Sequence, residues 1–192
     1  MKQLILLLCA LPSLVLAQEM APDTLMLGKK KEIRTDLVSV LAYSRINLSS
    51  EYFLNNTWST GLSLGLSNSS SIDEDFDQGY RNNRPRYDLT PFVRYKLSKS
   101  SRNFYFAEFF VSANGGDFKE IVRIVETGGT AYYVNKKSTY FDLGAGGGLG
   151  YKLYIKDKFA IELLVSIGAN LMNTDKSPDI LSRTGLSFGY RF

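Results

Sequence analysis

Histidine is absent from all 192 residues, and cysteine occurs once, at Cys9. The first absence removes imidazole as general base or metal ligand from every candidate site. No apolar run reaches the roughly 20 residues that a membrane-spanning helix needs. A strong excess of one charge is also missing. With 23 basic and 19 acidic residues the net charge is +4, too balanced for a nucleic-acid surface, so no nucleic-acid partner is expected.

The amino-terminus supplies a targeting segment instead of an anchor. Lys2 gives the positive charge, Leu4 to Leu16 the apolar stretch, and Val15-Leu16-Ala17 a small-residue cleavage context before Gln18. Residues 1–17 therefore read as a signal peptide. Cys9 falls inside it, with Leu8 rather than a small residue before it, which excludes lipid attachment there. The mature chain then has no cysteine and no disulfide, although an exported protein is free to form one. Residues 18–31, with Pro22, Gly28 and Lys29-Lys30-Lys31, show no period and read as a flexible lead-in.

What is present is alternation. Trp58, Thr60, Leu62, Leu64 and Leu66 share one side of a strand, with Ser59, Gly61, Ser63, Gly65 and Ser67 on the other. Seven further segments repeat the pattern: Glu32 to Ala42, Ile46 to Leu54, Tyr87 to Leu97, Asn103 to Ala113, Ser138 to Leu153, Phe159 to Leu171 and Ile180 to Phe192. A soluble lipocalin-like barrel would put its large apolar side chains inside; here glycine and serine would have to fill the interior. The opposite arrangement, apolar side outward, is that of a barrel in lipid.

Connections alternate short and long. Asn55-Asn56, Ser98 to Arg102 and Tyr154 to Lys158 are turns, whereas Asn68 to Arg86 and Gly115 to Lys137 are long. The join near Tyr43 to Arg45 is an exception, short where a long loop is due. Asp73, Asp75 and Asp77 have alternate spacing, but the glycine and terminal glutamate of a calcium loop are missing. The expected fold is all-β: an eight-stranded antiparallel up-and-down transmembrane β-barrel over residues 32–192, short turns periplasmic and long loops extracellular. Closure pairs every backbone group that lipid leaves unsolvated.

The narrow interior of eight strands is filled by side chains. Its face carries Arg34, Arg94, Lys96, Lys152, Arg183 and Arg191 against Asp36, Glu51, Asp88, Glu108, Asp142 and Glu162. Balanced buried charge predicts an ion-pair network that plugs the lumen, with Arg94 near its centre. It argues against an ion-selective pore, which would show one sign in excess. Glu108, beside Phe104 and Phe106, is the one carboxyl placed to act as an acid, yet ion pairing is the expectation. No cofactor, metal site or catalytic set emerges.

Outward aromatics gather near the turn ends: Tyr52, Trp58, Tyr95, Tyr105, Tyr151, Phe159, Tyr190 and Phe192, as at a membrane interface. With the signal peptide, the eight alternations, the segment I-N-L-S-S-E-Y-F-L-N-N-T-W-S-T-G-L-S-L-G and the terminal G-Y-R-F, the chain resembles the small outer-membrane β-barrels of Gram-negative bacteria, the OmpA/OmpX-like class. The resemblance implies an outer-membrane location, lipid as surroundings, a monomer, and a structural or surface-interaction role without enzymatic activity. A small channel or a ligand- or lipid-binding barrel is the alternative. Barrel lipid-modifying enzymes and omptin-type proteases use a histidine, which this chain lacks. Phe188, Tyr190 and Phe192 in T-G-L-S-F-G-Y-R-F resemble the terminal signal read by the barrel-insertion machinery.

Deletion of Phe192 should accordingly reduce assembly in cells far more than refolding into detergent. One aromatic contributes only about 1.5–3 kcal/mol by burial, too little to unmake a formed barrel. Comparing outer-membrane yield with refolding yield of the same variant checks this; wild-type yield in cells would contradict it.

Overall fold

The structure, a computed structural model, describes residues 29–125 and 131–192; the segment expected to be a signal peptide and most of the expected lead-in lie outside the described residues. Eight strands close into one antiparallel barrel in sequence order: β1 (Lys31–Asp36), β2 (Arg45–Phe53), β3 (Trp58–Ser67), β4 (Asn83–Lys96), β5 (Asn103–Val125), β6 (Ala131–Ile155), β7 (Phe159–Asn170) and β8 (Ile180–Arg191). Strand β8 closes on β1 from Glu32 opposite Arg191 to Asp36 opposite Ser187. The Lys31 and Phe192 backbones complete the seam, Phe192 N–H donating to Lys31 C=O at 2.9 Å.

Side-chain parity places the residues as the alternation requires. Ser59, Ser63, Arg94, Glu108, Lys152 and Glu162 are buried inside, while Leu62, Leu64, Leu66, Val93, Val111, Leu149 and Val165 are exposed on the outer wall. Glycines make room for inward rings. Gly61 stands opposite Phe92, and Gly150 opposite Phe106; a Cβ at either glycine would run into that ring. At the turn end the outer aromatics pair across strands: Trp58 with Tyr95 and Tyr105 with Tyr151, each at 4.9 Å between centroids. Phe159 packs on Phe188 and Tyr190, and Tyr190 on Phe192. The Ile155–Lys158 turn has positive φ at both Lys156 and Asp157, the geometry that matches strand twist in a two-residue hairpin.

Three expectations are corrected at the loop end. The segment Glu32 to Ala42 is not one strand: it leaves the sheet after Asp36 and forms helix α1 (Leu37–Tyr43). Asp36 is the reason, because its carboxylate accepts from the Val38 and Ser39 N–H groups as an N-cap. The short join expected near Tyr43 to Arg45 is thus a helix closed by Ser44 at φ 47°. Secondly, residues 68–86 contain helix α2 (Ser70–Gln78) and the start of β4. Thirdly, residues 115–137 are largely not a loop: β5 and β6 stay paired up to Val125 opposite Ala131.

Helix α2 is clamped to this hairpin. Its Phe76 is fully buried under three cations, Lys119, Arg84 and Lys137, at 4.6, 4.8 and 5.6 Å from the ring centre. Arg84 bridges Asp117 and Asp73, and Arg86 joins both. Burial raises the Asp117 carboxyl, but hydrogen bonds from Arg84 and Arg86 outweigh it and hold Asp117 below its ordinary value. Asp73 and Asp77 are paired with basic side chains, which accounts for two of the three alternate aspartates without a calcium ion.

Candidate functional site: the charged lumen

The lumen is layered. At the turn end Phe53, Phe104, Phe106, Tyr154 and Ala160 form an apolar floor. Above it, among the described residues, lie eight mutually paired charges from seven strands. Arg94 on β4 is the hub: its Nε and Nη2 donate to Glu108 at 2.8 and 2.6 Å. The same guanidinium reaches Glu162 at 2.7 and 2.9 Å and Glu51 at 2.9 Å. Its planar face lies between the Phe92 and Phe106 rings, 4.5 and 4.3 Å from their centres. A planar donor fork sandwiched by rings is a task for arginine, not lysine.

Lys152 is the second hub and is fully buried. Its ammonium contacts Glu32 and Glu51 at 2.8 Å each and Glu162 at 3.1 Å. Arg34 joins Glu32, Glu51 and Glu162, and Arg183 pairs with Glu108 at 2.6 Å. Ser59 donates to Glu51, and the Tyr154 hydroxyl to Glu32. The layer therefore holds Arg34, Arg94, Lys152 and Arg183 against Glu32, Glu51, Glu108 and Glu162. Glu32, Glu51 and Glu162 approach closely enough to suggest a cation site. Lys152 already supplies that cation, so the triad is not a metal centre in this arrangement.

Sequence reasoning missed Glu32. It shares the inward parity of Arg34, and that period-2 signal was sufficient to find it. Other inward charges do other work. Asp36 is spent on the α1 cap. Asp142 accepts from the Met172 and Asn173 N–H groups and from Ser177, fastening the β7–β8 connection. Neither belongs to the network. Asp88 pairs with Arg45, a residue the alternation did not single out. Lys96 lies over the Phe104 ring at 5.4 Å. Arg191 covers the Phe53 and Tyr154 rings and donates to the Lys29 carbonyl. Phe188, Tyr190 and Phe192 all face outward.

Chemically the layer is an obstruction. Each ion has lost water, and the loss is tolerable because each cation is in contact with carboxylates and each carboxylate with cations. Arg94→Ala should leave Glu51, Glu108 and Glu162 short of a partner and cost about 3–5 kcal/mol, whereas removing Arg94 together with Glu162 should cost less. Detergent-solution unfolding of the single and double variants measures both; an Arg94→Ala barrel as stable as wild type would contradict the assignment.

No protein-family model and no curated protein sequence matches the chain. Solved structures do. The N-terminal β-barrel domain of Pseudomonas aeruginosa OprF aligns with 85% of this chain and 96% of its own at 13% identity, with a TM-score of 0.54. Neisserial surface protein A aligns at 12% identity over 85% and 92%, TM-score 0.47. Ail, the attachment invasion locus protein of Yersinia pestis, aligns at 14% over 85% and 94%, TM-score 0.41. At such identities the likeness speaks to architecture alone, and the OprF domain carries it. Closed order, apolar outer wall and filled interior together give this chain the fold of the small eight-stranded outer-membrane β-barrels.

Proposed function

We propose that this is a non-enzymatic outer-membrane protein, exported by its signal peptide, that acts at the cell surface through the β5–β6 hairpin. In this reading the turn end faces the periplasm and the loop end the outside. The plugged lumen is a rigid stem, not a conduit. The barrel is a monomer surrounded by lipid, and the insertion machinery meets it at the Phe188–Phe192 ending.

One observation carries the surface role. Strand β5 continues seven residues past its last partner in β4, from Phe118 to Val125. At about 3.3 Å per residue that is roughly 23 Å of two-stranded ribbon with no third strand. Its outer end exposes Ile121, Val125, Tyr132 and Tyr133. A lone two-stranded ribbon is marginal in water, and exposed aromatic and apolar side chains on it suit a binding partner. The α2 clamp, with Phe76 beneath Arg84, Lys119 and Lys137, holds the ribbon's base.

The test shortens the hairpin. Glu120 pairs with Lys136, so replacing residues 121–135 by an Asn-Gly turn leaves a regular hairpin with the α2 clamp intact. The shortened barrel should keep its heat-dependent gel shift. Cells displaying it should lose, several-fold, the aggregation and surface adhesion that full-length protein confers. Unchanged adhesion, or lipase or protease activity in the purified barrel, would contradict the reading.

A further inference from the structure

Strand β1 is too short to cross a bilayer. It has six residues, against the roughly 9–11 of a spanning strand. Its pairing with β8 stops at Asp36 opposite Ser187, and its pairing with β2 stops at Thr35 opposite Leu48. From Ile180 to Leu186, β8 therefore pairs only with β7, and the upper end of β2 only with β3. The wall has a notch here, filled by α1. With the turn end periplasmic, as proposed above, the notch lies level with the outer leaflet. Leu37, Val38, Val40 and Leu41 of α1 are exposed beside it, as are Ile46 and Leu48 of β2.

Behind the notch is a cavity of about 600 Å³ that reaches down to Arg94 and Glu162 of the charged layer. On β8 it is bordered by inward Arg183, Gly185 and Ser187 and also by outward Ser182 and Thr184. Ser182 to Gly185 lie on the stretch of β8 that has no β1 partner, so the cavity borders the notch. Five arginines line it, of which Arg34, Arg94 and Arg183 are already paired in the charged layer and Arg45 and Arg81 are not part of it, against three carboxylates, Asp36, Asp75 and Glu162. Of those three, Asp36 is engaged by the α1 cap and Glu162 by the central cluster. Among the described residues no carboxylate lies within ion-pair distance of Arg81, and Arg45 is partly solvated despite Asp88.

We propose that this vestibule binds the phosphorylated head of an outer-leaflet lipid, whose chain leaves sideways through the notch between β8 and α1. The volume suits a headgroup, the arginines match phosphate geometry, and the apolar residues of α1 and β2 border the chain's exit. Helix α1 is the part of the wall that no strand pairing holds. The proposal shares the orientation used above but not the hairpin, so shortening the hairpin leaves it standing.

The probe is dodecyl phosphate, titrated into the refolded mature chain in neutral detergent, with inorganic phosphate as the head-only control. Binding should be saturable, and Arg81→Gln and Arg45→Gln should each weaken it about tenfold. Arg81 is exposed, so its variant stays informative if Arg45→Gln impairs folding. The mature chain lacks cysteine, so a photoreactive label on Ser182→Cys reports the route. Capture of dodecyl phosphate there should saturate with the binding curve, whereas a label on Val111→Cys across the barrel should capture in linear proportion to concentration. Non-saturable binding, insensitivity to both arginine variants, inorganic phosphate binding as tightly as dodecyl phosphate, or linear capture at Ser182 would each overturn the proposal.

Discussion

Arg94 sits where a bare guanidinium would be least tolerated, and the interior is arranged to tolerate it. Its donors are divided among Glu51, Glu108 and Glu162, its faces are covered by Phe92 and Phe106, and Lys152 also meets Glu51 and Glu162 while Arg183 meets Glu108. Four cations then meet four carboxylates in one buried layer. Such a layer contributes little net stability compared with a well-packed apolar core, but it penalises any register that separates the partners. A one-residue slip of a strand would turn its charge out into lipid. The cluster thus fixes which residues face inward, and the apolar outer wall follows by parity.

Closure is the second constraint, and it is met unevenly. Seven of the strands run nine residues or more, while β1 has six. The chain completes the seam at the turn end, where Lys31 and Phe192 exchange backbone hydrogen bonds, and covers the opening at the loop end with α1. A helix satisfies its own backbone and so is admissible where a frayed strand is not. The thin part of the wall and the arginine-lined cavity coincide, and that coincidence, not either feature alone, gives the vestibule its functional interest.

Much of this was legible in the sequence because a barrel in lipid has the plainest of codes. Trp58 to Ser67 alternates without interruption and Phe159 to Asn170 breaks only at inward Leu164, and both are strands with the expected faces. Arg94 announced itself by parity and charge. The misreadings share a cause: local signals were outvoted by period. Leu37 and Leu41 continue the outward parity of Ile33, so the segment read as strand until Asp36 capped a helix. Asp142 has inward parity, yet backbone N–H groups of the following loop reach it before any cation does. In the hairpin beyond Gly115 the reverse happened: the glycine pairs Gly115-Gly116 and Gly128-Gly129 read as loop signals although Ile121, Val125, Tyr132 and Tyr133 suit strands. Glu32 was overlooked although the same parity rule includes it.

The central claim is that the charged layer and the aromatic floor seal the lumen. Single-channel recording across a planar bilayer tests it directly, using wild-type barrel whose folding is verified by its heat-dependent gel shift. The account predicts a silent membrane over the full voltage range. Discrete, reproducible conductance steps from the folded wild-type barrel would contradict it.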